Sequence, residues 1–182
     1  MYQELIDGSF YVKPGWLDWK LFNNIRKSLP DLKYKPIYQP SETYYGNRFQ
    51  AYPCYEIPFA EYHSIFISQF ETTLKKRIDK KGFKCNARKA ITEEVSKSKV
   101  DTRWGIVHRD SEEVAAILYF DQTSTGGTVF FEHMNDKYPD ISFGAYPNRL
   151  LMYAANRWHT TSTDFTFKER YVLAFSFNIL KE

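Results

Sequence analysis

The chain has 182 residues, 43% hydrophobic and 26% charged, with a formal net charge of +3; this balance suits one globular domain with a sizeable core and excludes a disordered or fibrous protein. Lys and Arg are scattered, densest at Lys75-Lys76-Arg77 and Lys80-Lys81, which argues against nucleic acid as a partner. No run approaches the roughly 18 apolar residues of a membrane span, and the acidic opening MYQELIDGSF lacks the basic start of a secretory leader.

Pro14-Gly15 punctuates a short strand-like opening, after which Leu17, Leu21, Phe22, Ile25 and Leu29 recur at helical spacing until Pro30. Asp31 to Ile57, rich in Tyr, Pro, Gly and Asn, reads as extended segments and turns that can wall or cover a site. A second helix is expected from Pro58 as its first residue, with Phe59, Tyr62, Phe66, Phe70, Leu74 and Ile78 on one face and Gly82 just past its end. Beyond Phe83 strands are expected: an alternating region to Val107, then Val114–Phe120, Thr128–Glu132, Arg149–Tyr153 and Tyr171–Ile179. An aromatic share of 18% fits this strand content. Helices first and strands afterwards indicate an α+β fold, and no repeat or linker divides the chain. Cys54 and Cys85 have no metal-binding or disulfide spacing and suit a reducing, cytoplasmic setting.

The tripeptide His108-Arg109-Asp110 is the first candidate for chemistry. It also opens the kinase catalytic loop, but Glu113-Val114-Ala115 falls where that loop needs its Asn, and no glycine-rich phosphate loop precedes it. On a strand, His108 and Asp110 project to one side and Arg109 to the other. One imidazole and one carboxylate then need a second His to form the facial triad that binds non-haem Fe(II). His63 lies in the helical repeat, where a structural role is simpler; His133 and His159 both follow strands. Alone, His-x-Asp is a weak signal, often only a solvated strand end.

Four features from about Arg103 to Phe177 together carry more. They are His108 and Asp110; AAILYFD with Tyr119; GGTVFFE from Gly126 to Glu132; and PNRLLMYAANRWH ending at His159, with Arg170 opening RYVLAFSF. In this order the chain resembles the Fe(II)/2-oxoglutarate-dependent dioxygenases, specifically the prolyl-4-hydroxylase-like group with its small stand-alone phage and bacterial versions. The resemblance implies a double-stranded β-helix (jelly-roll, cupin-like) core at about 83–182, supported by a helical and loop-rich part at 1–82, as a single domain over 1–182. It implies that His108, Asp110 and His159 bind Fe(II), and that Arg170 and Tyr119 hold 2-oxoglutarate. O2 is then the oxidant, and ascorbate a candidate accessory reductant. The setting is cytoplasmic, the host cytoplasm for a phage gene. Where relatives often carry Thr or Ser on the last strand this chain has Ala174, which leaves Ser176 or Thr128 to substitute.

The parity of the last strand supports the cavity independently. Arg170, Val172, Ala174, Ser176 and Asn178 form a small or polar face; Tyr171, Leu173, Phe175, Phe177 and Ile179 form an apolar one. An Arg suits a carboxylate because its planar fork binds both oxygens. The competing reading has Arg170 paired with Asp164 or Glu169 at the surface. Arg103, Trp104, Asn156, Arg157 and Trp158 flank the ligands and are candidates for substrate contact or for packing at the rim. Tyr38, Tyr44, Tyr45, Tyr52 and Tyr55 are candidates for a peptide groove or for the core. The substrate expected from the resemblance is a protein or peptide side chain, with proline foremost. A free amino acid, metabolite or nucleobase is the alternative, and a non-catalytic metal-binding module is a third reading.

Overall fold

The computed structural model describes residues 1–37, 43–44, 49–50, 54–91, 107–121, 127–162 and 168–181. The opening differs from expectation: a helix, α1 (Tyr2–Ile6), precedes the strand β1 (Tyr11–Pro14). Helix α2 (Trp19–Ser28) starts where Asp18 accepts hydrogen bonds from the N–H groups of Lys20 and Leu21 at 2.9 and 3.2 Å. It tightens into a 3-10 turn at Leu29–Asp31 because Pro30 cannot continue an α-helix. The tyrosine-rich region contributes β2 (Lys35–Pro36), β3 (Thr43–Tyr44), β4 (Phe49–Gln50) and β5 (Cys54–Pro58).

Pro58 therefore closes a strand rather than opening a helix, and α3 (His63–Leu74) begins five residues later. Phe59 has left the helix because its N–H donates to the Cys85 carbonyl at 2.8 Å. At the other end Lys75 takes a left-handed φ of 54°, so Gly82 is not the terminator. Ile78 instead bridges to Ile179. The apolar spacing outruns the helix at both ends because Phe59 and Ile78 enter the same core by non-helical routes.

Seven further strands follow: β6 (Lys84–Ile91), β7 (Val114–Tyr119), β8 (Gly127–Phe131), β9 (Ile141–Gly144), β10 (Arg149–Ala154), β11 (Trp158–Thr161) and β12 (Glu169–Phe177). One antiparallel sheet runs β1-β10-β7-β12-β6-β5-β2, and a second runs β11-β8-β9. An isolated bridge between His108 and His159 adds a fourth member beside β11. From β6 onward the chain enters one sheet, then the other, and returns, so β10-β7-β12-β6 oppose the His108 segment, β11, β8 and β9. This winding is the jelly roll, a double-stranded β-helix with helices on one outer face. The first third is more than a buttress, since β1, β5 and β2 all extend the larger sheet.

The parity of β12 decides which face meets which layer. Phe175 packs on Trp16, Phe66 and Phe70 at centroid distances of 5.8, 5.1 and 5.2 Å, joining the sheet to the helices. The opposite face, with Val172, Ala174 and Ser176, looks between the sheets. There a smaller core of Ala115, Tyr119, Phe130, Leu151 and Tyr153 closes one flank.

One buried polar residue ties the helical layer to this sandwich. Asn148, fully buried at φ 58°, exchanges two side-chain hydrogen bonds with the backbone of Leu17, at 2.9 and 2.8 Å. Asn tolerates the left-handed region better than other non-glycine residues. Asn148→Ala is expected to cost about 2–4 kcal/mol in urea unfolding, because two buried backbone groups lose their partners while the strained turn remains. A loss below about 0.5 kcal/mol contradicts this assignment.

Candidate metal centre and co-substrate cavity

The bridge between His108 and His159 is reciprocal. The N–H of His108 donates to the His159 carbonyl at 3.0 Å and the reverse bond measures 2.9 Å, which sets the two rings 4.4 Å apart. Asp110, two residues on, donates its N–H to Ala155 at 2.9 Å. Its carboxylate thereby comes to lie 3.8 Å from His108 Nε2 and 3.6 Å from His159 Nε2. One donor atom from each residue falls within 4.8 Å of the others. These separations are too long for strong hydrogen bonds and leave space for an ion between the three donors.

The chemistry of the donors also fits. Nδ1 of His159 is 2.8 Å from the Arg157 carbonyl, which can only accept, so the proton sits on Nδ1 and the Nε2 lone pair faces Asp110. Burial, with the neighbouring His108, lowers the His159 pKa to about 3, keeping the ring neutral. Burial raises the pKa of Asp110, while His108 and Arg88 act in the opposite sense. Two imidazoles and one carboxylate are a donor set that can hold a divalent metal ion, Fe(II) among them.

A cavity of about 110 Å³ adjoins the triad, and the small side chains of β12 leave it room. Arg170, only 6% exposed, lines it. Its Nη1 donates to Thr161 Oγ1, and its Nη2 to the Gly127 carbonyl at 3.3 Å. Thr161 and His159 are alternate residues of β11, hence on one face and roughly 6.6 Å apart along the strand. A buried cation thus lies one strand repeat from a candidate metal ligand, a span suited to a short dicarboxylate. Gly127 is required here: a Cβ would meet the Phe143 carbonyl oxygen at 1.8 Å. Its own carbonyl also accepts from Thr161 Oγ1 and Ser162 N, at 3.2 and 3.0 Å.

Tyr119 is fully buried beside this end of the cavity. Its hydroxyl is 2.6 Å from Thr128 Oγ1, and the Arg170 guanidinium lies 5.8 Å from its ring centre. Thr128 and Ala174 line the cavity. Glu169 turns to Lys89 at 2.9 Å, whereas Asp164 lies outside the described residues. Arg109 stacks on the Trp158 ring at 4.1 Å, and Arg157 lies over Phe10 at 4.5 Å while donating to the Gly8 carbonyl. These contacts give both arginines roles in the scaffold. His63 begins α3 with its ring 5.1 Å from Phe83, and His133 is exposed in a turn. Arg103, Trp104, Tyr38, Tyr45 and Tyr52 lie outside the described residues, and of Tyr44 only the strand is described. Thr161, Tyr153 and Arg88 also line the cavity, unanticipated from sequence. Strand parity from His159 could have found Thr161; nothing in the sequence marked the other two.

Neither a protein-family model nor a curated protein sequence matches the chain. Among solved structures it is similar to a Pseudomonas putida prolyl-4-hydroxylase, at 13% identity and a TM-score of 0.64, covering 97% of this chain and 98% of the other. It is similar to a Trichoplax adhaerens prolyl hydroxylase in complex with a peptide fragment of the hypoxia inducible factor oxygen degradation domain, at 12% identity and a TM-score of 0.64, covering 97% and 86%. HygX from Streptomyces hygroscopicus, with nickel, 2-oxoglutarate and hygromycin B bound, matches at 11% identity and a TM-score of 0.60, covering 97% and 85%. The chain has the fold of the 2-oxoglutarate/Fe(II) oxygenases, prolyl hydroxylases included.

Proposed function

We propose that the chain is an Fe(II)- and 2-oxoglutarate-dependent dioxygenase that hydroxylates a protein or peptide side chain, with proline the first residue to test and succinate and CO2 as co-products. The observation that carries this reading is the buried Arg170, anchored one strand repeat from a His108–Asp110–His159 cluster. A non-catalytic metal module has no use for that cation at that distance. With iron and 2-oxoglutarate bound, oxidative decarboxylation of the co-substrate supplies the oxidising power for C–H hydroxylation. The residues of the chain do the positioning. His108, Asp110 and His159 would hold the metal, and the Nδ1 contact of His159 fixes its tautomer. Arg170 takes the distal carboxylate, helped by Thr161 and by the Tyr119–Thr128 hydroxyl pair, while Val172 and Ala174 keep that end dry and narrow.

At about 110 Å³ the cavity suits a compact co-substrate, whereas pockets enclosing drug-sized ligands run to about 300–1,000 Å³. On the peptide reading the target presents one side chain to the triad beside that co-substrate. Among the described residues no helix is long and apolar enough to cross a membrane, and the free thiols Cys54 and Cys85 fit a cytoplasmic setting.

The test is succinate release with Fe(II), 2-oxoglutarate and ascorbate, run with a peptide library beside pools of amino acids, metabolites and nucleosides. Stimulation by peptides is expected. Stimulation by small molecules alone overturns the substrate class but keeps the chemistry. Failure to bind 2-oxoglutarate anaerobically with Fe(II) overturns the chemistry itself.

A further inference from the structure

The wall that β6 contributes to the cavity is more polar than a prolyl ring requires. Asn86 and Arg88 alternate along that strand and line the cavity with Lys84. Three cations besides Arg170 stand on or beside this wall, and their partners differ. Lys84 is held by Glu112, and Lys89 by Glu169 at 2.9 Å. Among the described residues Arg88 has one hydrogen-bond partner, Glu56, its cross-strand neighbour on β5, reached through Nε at 3.4 Å. That is long for a charge-assisted bond, which closes to about 2.7–2.9 Å. It uses one edge of the guanidinium, and among the described residues the two Nη groups have no hydrogen-bond partner.

Position separates Arg88 from the co-substrate. Arg88 pairs in register with Val172, two residues beyond Arg170 on the neighbouring strand, and among the described residues β5 and β2 continue the sheet past it. Its side chain is 34% exposed, whereas Arg170 is 6% exposed. Arg170 is therefore the sealed end of the cavity and Arg88 its accessible flank. On the reading given above, one carboxylate of 2-oxoglutarate goes to the metal and the other to Arg170. The Arg88 charge also acts on Asp110 across the cavity, and its Nη edge is left for a further carboxylate. Its free edge matches a carboxylate in bidentate geometry, and Asn86 beside it offers a further donor.

We propose that Arg88 reads a carboxylate on the primary substrate, so that the residue hydroxylated is flanked by Asp or Glu. This rests on the dioxygenase reading and names the substrate class for the same site. The Glu56 carboxylate holds the Nε edge, orients the fork and is not displaced.

The experiment uses the full chain with matched peptide pairs that differ only by Asp/Asn or Glu/Gln next to the target residue, plus free aspartate, glutamate and proline. Anaerobic Fe(II)–2-oxoglutarate binding, read from its visible absorption band, is measured in parallel. The wild type is expected to favour acidic peptides over their amide twins by about 10- to 100-fold in kcat/KM, the size of one charged hydrogen-bonding contact. Arg88→Gln is expected to erase that ratio, and Arg88→Lys, which keeps charge without the fork, to retain part of it; neither changes 2-oxoglutarate binding. A preference for free acidic amino acids over peptides supports the carboxylate and changes its bearer. No acid preference in the wild type overturns the proposal without using any variant. So does a loss of 2-oxoglutarate binding in Arg88→Gln that matches its loss of activity, which assigns Arg88 to the co-substrate. Absent 2-oxoglutarate binding in the wild type overturns the dioxygenase reading, and this proposal with it.

Discussion

Asp110→Ala is expected to reduce 2-oxoglutarate-dependent succinate release to background and to weaken Fe(II) binding by more than about 100-fold. Partners that merely orient metal ligands account for 10- to 100-fold, and Asp110 is the sole anionic donor of its cluster. The backbone bridge that sets the two remaining imidazoles side by side does not use the Asp110 side chain, so the variant is a test of chemistry rather than of folding. A carboxylate whose pKa is raised by burial is less at ease ionised in the folded state than in the unfolded chain. Linkage therefore assigns it a destabilising contribution at neutral pH in the metal-free protein, largest above the folded pKa and lost as pH falls below the unfolded value. Metal-free Asp110→Ala should melt no lower than the metal-free wild type. Titration calorimetry with Fe(II) or a redox-inert surrogate, beside a thermal melt, checks both halves. Retained turnover of 2-oxoglutarate overturns the triad.

For Arg170→Gln a different signature is expected: KM for 2-oxoglutarate rises by roughly 30- to 5,000-fold while Fe(II) binding is unchanged. The range follows from about 2–5 kcal/mol for removing one partner of a buried, hydrogen-bonded charge pair, converted at 1.36 kcal/mol per decade. The magnitude is large because the site is dry, with Arg170 buried among Thr161, Gly127 and Tyr119. Gln keeps a donor near Thr161 and the Gly127 carbonyl, which limits the structural damage. Steady-state kinetics in 2-oxoglutarate, with metal content measured on the same samples, separates this from the Asp110 result. A fall in kcat with KM unchanged contradicts the assigned role.

Helix boundaries show where local pattern stops being informative. Phe59 and Ile78 continue the spacing of α3 perfectly well, yet one is tied to Cys85 and the other to Ile179. Burial imposes the pattern, and burial does not require a helix. The strands were more legible, because alternation along β12 follows from the backbone itself, and its two faces meet two different layers.

The same division holds at the site. The sequence by itself determined that His108 and Asp110 share a side opposite Arg109, and that Arg170 shares a face with Val172, Ala174 and Ser176, since side-chain direction in an extended chain is a two-residue property. The resemblance points to His159; the tertiary structure alone decided that it pairs across from His108, that Thr161 anchors Arg170, and that Arg88 joins the cavity from β6. Each of these depends on the register between strands distant in the chain, and register is set by which faces bury their apolar side chains together, a quantity that belongs to no single segment.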